Sequence, residues 1–223
     1  MTGNIRTMLF DLDGTIMDTN ELIIRSFLES LEGFVPAEFS REHIIPNMGL
    51  TLSAQMKIFS GLEEVAHLEA AYRKVNLRLH DEFVKSFPHV NEVIKNLHEQ
   101  GIRIGVVTTK MRLTTERGLK FVGLYDYIDA IVTIDDVTNP KPHPEPVRMA
   151  MEQLGADPAS TIMVGDSIVD IESAEAAGAV SVGVAWSLKG AQKLRESGAQ
   201  YVIDDMRELY AFAGLERETF AQR

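Results

Sequence analysis

The sequence predicts an α/β protein whose core is a doubly wound, Rossmann-like parallel sheet, with an inserted all-α helical cap. Two observations support this fold class. From residue 88 onward, short β-branched runs alternate with amphipathic segments of helical period, which favours parallel strands joined by right-handed crossovers. Residues 18–84 show helical periodicity without the alternation of a strand. We therefore predict a core domain of residues 1–17 and 85–223, and a cap domain of residues 18–84.

The core elements follow from where the apolar runs begin and end. The first strand is the run 8–10, which precedes the cap. A helix is expected from Pro88 to Gly101, because proline suits a first helical turn and glycine a helix end. The further strands are predicted at 102–107, 127–133, 161–164, 181–185 and 201–203, and the further helices at 112–121, 145–154, 169–177, 188–197 and 206–213.

Two segments of the cap carry apolar stripes. Residues 21–31 form one amphipathic helix. A longer helix is predicted by apolar residues at helical spacing, which are Val65, Leu68, Tyr72, Val75 and Leu79. Thr15 and Thr108, which follow successive core strands, are much further apart than the roughly a dozen residues that a simple parallel crossover needs. The surplus indicates a domain inserted after the first strand.

Composition excludes several kinds of site and partner. The chain has 223 residues, with 22 basic and 33 acidic side chains, a formal net charge of −11 and no cysteine. It therefore has no disulfide, thiolate zinc site or cysteine nucleophile. The acidic excess argues against nucleic acid as a partner, because a phosphate backbone is bound by clustered lysine and arginine. No run approaches the roughly 18 apolar residues of a membrane span, and no export signal is visible, so we expect a cytoplasmic protein that binds no membrane.

The first predicted strand runs into the segment Asp11-Leu12-Asp13-Gly14-Thr15. Carboxylates at the carboxyl end of a parallel strand lie where such sheets bind ligands. One alternative is an ordinary Asp-Gly turn with both acids solvated. A calcium-binding loop is excluded, because Ile16 and Leu22 stand where that motif requires glycine and glutamate.

Polar residues also follow three other predicted strands. Each group has an ordinary explanation, as a helix cap or a surface charge. Because the carboxyl ends of parallel strands meet at one edge of a sheet, the groups together indicate a single site. They are Thr108, Thr109 and Lys110 after one strand, Lys141 in the proline-bracketed loop after the next, and Asp166, Ser167 and Asp170 after the third.

These residue types suit one kind of chemistry. Carboxylates held close together repel one another unless a hard cation lies among them, and Mg²⁺ prefers oxygen ligands and phosphate oxygens. One carboxylate can attack phosphorus to form an acyl phosphate, while another protonates the leaving group and then activates water. Lysine and threonine can bind the transferring phosphoryl group. The sequence thus predicts metal-assisted phosphoryl transfer through aspartate, on a small anionic substrate that contains phosphate.

In order along the chain, Asp11-x-Asp13-Gly14-Thr15, Thr108, Lys141 and Gly165-Asp166-x-x-x-Asp170 resemble the four motifs of the haloacid dehalogenase superfamily. The resemblance implies Asp11 as the nucleophile, Asp13 as the general acid and base, Lys141 as a third catalytic residue, and Mg²⁺ as the cofactor. The expected metal ligands are Asp11, Asp13 (through its backbone carbonyl), Asp166 and Asp170, the last either as a ligand or as a support for the other ligands. The expected substrate-binding residues are Gly14, Thr15, Thr108, Thr109, Lys110 and Ser167.

Within the superfamily, the chain resembles the pyrophosphatases of Gram-positive bacteria, which implies inorganic pyrophosphate as the substrate. The resemblance is carried by residues 19–24, 107–110, 118–121, 133–137, 141–146 and 188–190. Phosphoglycolate phosphatases are the alternative, although they usually carry asparagine where this chain has Thr109. A sugar-phosphate mutase and a non-enzymatic phospho-accepting signalling domain are more distant alternatives.

Substrate choice is expected to depend on the cap. Similar proteins place the loop that corresponds to residues 48–51 over the active site. We call this segment the cap loop and expect it to influence specificity, together with Asn20, Glu21 or Lys57. The sequence leaves the oligomeric state open.

Overall fold

The computed structural model describes residues 5–216, so the ends of the predicted core domain, residues 1–4 and 217–223, lie outside the described residues. The strands are β1 (Thr7–Phe10), β2 (Met17–Asp18), β3 (Lys85–Ser86), β4 (Arg103–Val107), β5 (Ala130–Val132), β6 (Thr161–Gly165), β7 (Val180–Val184) and β8 (Tyr201–Ile203). The α-helices are α1 (Asn20–Ser30), α2 (Arg41–Ile44), α3 (Leu52–Ser60), α4 (Ala66–Phe83), α5 (Val90–Glu99), α6 (Arg112–Phe121), α7 (Glu145–Gln153), α8 (Ile168–Ala177), α9 (Ala191–Glu196) and α10 (Leu209–Phe212).

Six strands form one sheet in the order β5-β4-β1-β6-β7-β8, and every neighbouring pair is parallel. This confirms the α/β fold class. Because β1 lies between β4 and β6, the chain order reverses on either side of it. Ligands bind at such a reversal in open parallel sheets.

The sheet is covered on both faces, which explains why its strands are continuous apolar runs. Side chains of successive strand residues point to opposite faces. Met8 and Phe10 accordingly belong to one hydrophobic cluster, while Leu9 belongs to the other. All residues of β1 are buried. The central strand is therefore held rigidly, and so is the position at which the chain leaves it.

Helices α1 to α4 lie between β2 and β3 and contain a hydrophobic cluster of their own. Phe27 of α1 lies at the centre of this cluster. Its ring centroid is 5.1 Å from that of Phe59 and 4.6 Å from that of Tyr72. Segment 18–84 is thus helical, as expected, whereas its division from the core as a separate domain stays a prediction.

The sequence did not predict the antiparallel pair formed by β2 and β3, in which Met17 faces Ser86 and Asp18 faces Lys85. Strands of two residues are too short to show a hydrophobic period. The pair joins the two points at which the chain enters and leaves the helical segment.

Several predicted bounds were wrong for local reasons. Pro88 lies outside its helix, since α5 begins at Val90 after His89, whose φ of 63° is left-handed. The strand predicted at 127–133 shortens to β5 because residues 125–127 form a 3₁₀ turn. The helix predicted at 188–197 begins only after Gly190, and 206–213 divides into a 3₁₀ turn and α10.

Among the described residues, we find no helix with the length and apolar character needed to cross a membrane.

Replacing Phe27 by alanine should lower the free energy of unfolding by about 3–5 kcal/mol, because the cavity left in the helical cluster loses two aromatic contacts. Leu28 is the matched control. It follows Phe27 in α1 and is 39% exposed, so Leu28→Ala should change stability by less than about 1 kcal/mol. Urea denaturation measures both. Equal losses would contradict the assignment of Phe27 to the centre of the cluster.

Candidate active site

Most of the predicted site residues lie at the carboxyl ends of the three central strands, while Lys141 lies in the loop between β5 and α7. Asp11 follows β1, Thr108 follows β4, and Asp166 follows β6. Backbone hydrogen bonds extend the strand pairing to this edge. The amide of Asp11 donates to the carbonyl of Val164 over 2.8 Å, and the amide of Thr108 donates to that of Val132 over 2.9 Å. The sheet therefore places these loops side by side, as the parallel arrangement predicts.

Lys141 connects the acidic residues of this edge. Its ammonium Nζ is 2.6 Å from Asp11 Oδ1 and 2.6 Å from Asp170 Oδ1, and it donates to the carbonyl of Val107 over 2.9 Å. The Lys141 side chain is 2% exposed. Burial opposes the charge of the ammonium, but Asp11 and Asp170 outweigh burial and raise the pKa of Lys141. The lysine is thus a fixed cation within the protein.

Three buried carboxylates converge beside this lysine. Asp11, Asp166 and Asp170 each offer an oxygen, and these oxygens all lie within 4.8 Å of one another. Burial is the main cause that raises the pKa of Asp11, and the neighbouring carboxylates add to it. Burial likewise raises the pKa of Asp166 to about 6. Since one lysine cannot neutralise three acids, part of the negative charge of the cluster is not compensated.

Asp170 also fixes the start of α8. Its Oδ2 accepts hydrogen bonds from the Ser167 amide over 3.0 Å and from the Ser167 hydroxyl over 2.8 Å. The two residues form a capping box, with Ser167 as the N-cap. Both carboxylate oxygens of Asp170 are engaged, one by Lys141 and one by Ser167. Asp170 is therefore held in a single orientation.

Asp13 lies apart from the cluster and has its own partners. Its Oδ1 accepts from the hydroxyl of Thr19 over 2.7 Å, and Lys110 Nζ lies 2.9 Å and 3.1 Å from its two oxygens. Lys110 comes from the loop after β4. The carboxylate of Asp13 is thus held by a hydroxyl from Thr19 and by the ammonium group of Lys110, which the loop after β4 supplies.

Position 14 requires glycine. Its φ is 85°, and a Cβ there would lie 2.6 Å from Asp166 Oδ2, so a larger residue would displace a member of the cluster. Thr15 is fully buried, and its hydroxyl has no hydrogen-bond partner in the part of the chain that the structure describes. Its predicted contact with substrate stays a prediction.

A cavity of about 310 Å³ opens onto these residues. The predicted site residues that line it are Asp11, Asp13, Thr108, Thr109, Lys110 and Asp166. Lys141, Ser167 and Asp170 are buried. The cap loop, Tyr72 and Asn76 line the cavity from the helical segment. The structure therefore brings three of the four motifs and the cap loop to one cavity, and Lys141, which carries the third motif, is buried in contact with Asp11.

The three residues suggested for specificity do not share one environment. Asn20 is buried in α1. Glu21 and Lys57 form ion pairs with other surface residues of the helical segment, Arg41 at 2.8 Å and Glu63 at 3.1 Å.

Sequence reasoning missed two polar residues of the site. Thr19 orients Asp13, as described above. Lys189 follows β7, and its Nζ donates to the carbonyl of Met48 in the cap loop. The charge of Lys189 also opposes the burial that raises the pKa of Asp166. The position of Lys189 in the sequence could have indicated its role, since it also follows the carboxyl end of a strand of the same sheet.

Comparison with known proteins identifies the family. Residues 8–184 match the family of haloacid dehalogenase-like hydrolases. The chain belongs to this family. The resemblance inferred from the four motifs is thereby confirmed.

The relatives cover almost the whole chain. A pyrophosphatase PpaX of Bacillus velezensis is 42% identical over 95% of this chain and 97% of its own length. A pyrophosphatase PpaX of Bacillus cereus is 43% identical over 92% of this chain and 94% of its own. Among solved structures, a haloacid dehalogenase-like hydrolase from Bacteroides fragilis is 29% identical, with a TM-score of 0.83, and covers 92% of this chain and 99% of its own.

Replacing Lys141 by methionine, which has a similar length, should lower the free energy of unfolding by about 3–5 kcal/mol, because Asp11 and Asp170 lose their buried counter-charge. Urea denaturation in metal-free buffer measures the loss. Lys95→Met is the control, since it removes only an exposed ion pair with Glu99 at 3.9 Å and should change stability by less than about 1 kcal/mol. A similar result for both variants would contradict a stabilising role for Lys141.

Proposed function

We propose that this protein is a Mg²⁺-dependent phosphohydrolase that cleaves inorganic pyrophosphate through an aspartyl phosphate on Asp11. The observation that carries the proposal is the convergence of three buried carboxylates at the edge of the sheet, beside a cavity that the cap loop also lines. Two of these carboxylates contact one buried lysine. Family membership supports the hydrolytic chemistry. Identity to proteins named pyrophosphatase PpaX supports pyrophosphate as the substrate.

The donor set fits a divalent cation. Asp11, Asp166 and Asp170 offer only carboxylate oxygens, the ligands that Mg²⁺ prefers, and one lysine leaves their charge incompletely balanced. We propose that these three residues and the backbone carbonyl of Asp13 hold the cation. When bound, Mg²⁺ would supply positive charge to the oxygens of the transferring phosphoryl group.

In the first half of the proposed reaction, a carboxylate oxygen of Asp11 attacks one phosphorus of pyrophosphate. The bond from that phosphorus to the bridging oxygen breaks, and the leaving phosphate takes a proton from Asp13. Lys141 holds the Asp11 carboxylate in place through its contact with Oδ1, and Thr108 lines the cavity where the phosphoryl group would bind. The products of this half are an aspartyl phosphate and free phosphate.

In the second half, Asp13 takes a proton from water as the water oxygen attacks the aspartyl phosphate. The bond between phosphorus and Asp11 breaks, which releases the second phosphate and restores both side chains. Thr19 and Lys110 hold the Asp13 carboxylate in the orientation that both proton transfers need. One water is consumed for each pyrophosphate, and two phosphates are formed.

We propose that residues 18–84 act as a cap domain that closes over the site during the first half and opens for water and product. The β2–β3 pair, which joins both ends of this segment, is the place where such a movement would bend. We place the enzyme in the cytoplasm, with no nucleic acid or membrane among its partners.

Phosphoglycolate phosphatase is the second candidate. The cavity, with a volume of about 310 Å³, has room for a phosphomonoester, and its lining includes apolar side chains of the helical segment such as Leu50 and Leu52. Thr109, where that group usually carries asparagine, adds to the support that the PpaX relatives give to pyrophosphate.

The substrate proposal is tested by measuring phosphate release with Mg²⁺ from pyrophosphate, phosphoglycolate, sugar phosphates and nucleotides. We expect kcat/KM to be highest for pyrophosphate. A monoester turned over equally well would contradict the substrate while leaving the chemistry intact. A stable phosphoprotein with negligible turnover would contradict hydrolysis altogether.

Replacing Asp11 by asparagine should lower kcat by at least about 1000-fold, because the amide cannot serve as the nucleophile. Single-turnover assays with labelled substrate should also show no phosphoprotein for this variant. Asp126→Asn, which changes an exposed aspartate in a 3₁₀ turn, should keep full activity. An active Asp11→Asn enzyme would exclude the covalent mechanism.

Removing divalent cations with a chelator should abolish activity, and Mg²⁺ should restore it. A cation that binds only the folded state also raises Tm, by roughly 5 °C at a hundred times its Kd. We expect this shift for the wild type and for Asp126→Asn. Asp166→Asn should lose most of the shift, because it removes one ligand of the cluster. An unchanged shift would place the cation elsewhere.

A further inference from the structure

The cap loop is attached to the core at two consecutive carbonyls. Lys189 Nζ donates to the carbonyl of Met48, and the hydroxyl of Thr109 donates to that of Gly49 over 3.3 Å. The two donors come from different loops, one after β7 and one after β4. The attachment therefore spans the sheet edge on both sides of the acidic cluster.

Gly49 allows the loop to approach the core closely. Its φ is 97°, a conformation that other residues rarely adopt. A Cβ at this position would lie 2.6 Å from the hydroxyl oxygen of Ser167 and 3.4 Å from Lys189 Nζ. The loop backbone thus rests directly on Ser167, the N-cap of α8, and on the ammonium group of Lys189.

The backbone of Lys189 is fixed relative to the cluster. The hydroxyl of Ser187 donates to the carbonyl of Asp166 over 2.6 Å and accepts from the amide of Lys189 over 3.1 Å. The Lys189 side chain then reaches from this anchor to Met48. Its charge also acts on the Asp166 carboxylate. One residue therefore touches the cap and influences the acidic cluster.

We infer that Lys189 is a positioning residue, whose ammonium fastens the cap loop at Met48 over the carboxylate cluster and so favours the closed cap. The expected effect of Lys189 on turnover rests on the proposed phosphohydrolase function. The contact itself is independent of the substrate. When the cap opens, the hydrogen bond to Met48 must break, so removing it should shift the population toward the open cap.

The kinetic test compares Lys189→Met with Lys189→Arg. Methionine keeps the length but removes both the charge and the donor, and kcat/KM should fall by on the order of 10- to 100-fold, as expected when reacting groups lose their alignment. Arginine can still donate to the Met48 carbonyl and should retain activity within about threefold of wild type. Lys193→Met, an exposed lysine of α9, should leave activity unchanged.

Hydrogen exchange gives a readout that needs no substrate. The amides of Met48 and Leu50 donate within the loop, to the carbonyls of Ile45 and Asn47. In Lys189→Met, exchange across residues 48–51 should accelerate by roughly tenfold, the value expected for loss of a hydrogen bond to a charged group. Lys189→Arg and Lys193→Met should exchange like wild type.

Gly49→Ala approaches the same contact from the cap side. Its Cβ should displace the loop from Ser167 and Lys189, and so accelerate exchange over the same residues. If both changes break one contact, the double variant Lys189→Met with Gly49→Ala should be little worse than either alone. Gly49→Ala on its own also tests the inference if Lys189→Met fails to fold.

The outcomes separate the two proposals. If the wild type releases no phosphate from any substrate, the proposed function fails, and exchange still decides the role of Lys189. Wild-type exchange and kcat/KM in Lys189→Met would overturn the inference. So would a loss of activity that Lys189→Arg does not rescue, or independent, additive losses in the double variant.

Discussion

The buried ion pairs of Lys141 are the interaction on which the rest of the site depends. Carboxylates with little exposure repel one another and lose hydration, and a buried ion pair is tolerated only when its geometry is good. Lys141 meets this condition with two contacts of 2.6 Å and a third to the Val107 carbonyl. It joins the ends of β1 and β4 to the first turn of α8, through Asp11, Val107 and Asp170. The acids can therefore stay close enough to share a cation without unfolding the loops that carry them.

The sheet makes this arrangement possible. Lys141 is 130 residues from Asp11 and 29 from Asp170 along the chain, so only tertiary structure brings them together. Because β1 lies between β4 and β6, the loops after all three strands meet at one edge. The apolar burial of β1 on both faces fixes the starting point of Asp11. The helical segment begins soon afterwards, and its cap loop lines the cavity at the same edge.

Much of this could be predicted from the sequence, because strand and helix periods are local signals and parallel strands share a common edge. The alternation after residue 88 predicted the sheet, and the positions of Asp11, Thr108, Lys141 and Asp166 predicted their convergence. The contacts between loops could not be predicted, since loop geometry depends on tertiary packing. Two examples are the contact of Lys110 with Asp13 and the contact of Lys189 with Met48. The β2–β3 pair escaped prediction because its strands are too short to show a period.

The distribution of charge explains how an acidic chain can accept an anionic substrate. Each acid of the site has a lysine from another loop: Lys141 contacts Asp11 and Asp170, Lys110 contacts Asp13, and the charge of Lys189 acts on Asp166. With all seven groups charged, these four acids and three lysines have a net charge of −1. A divalent cation would change that balance to +1, the sign that attracts a phosphate group. The whole-chain charge of −11 therefore says little about the cavity, where the sign depends on whether the cation is bound.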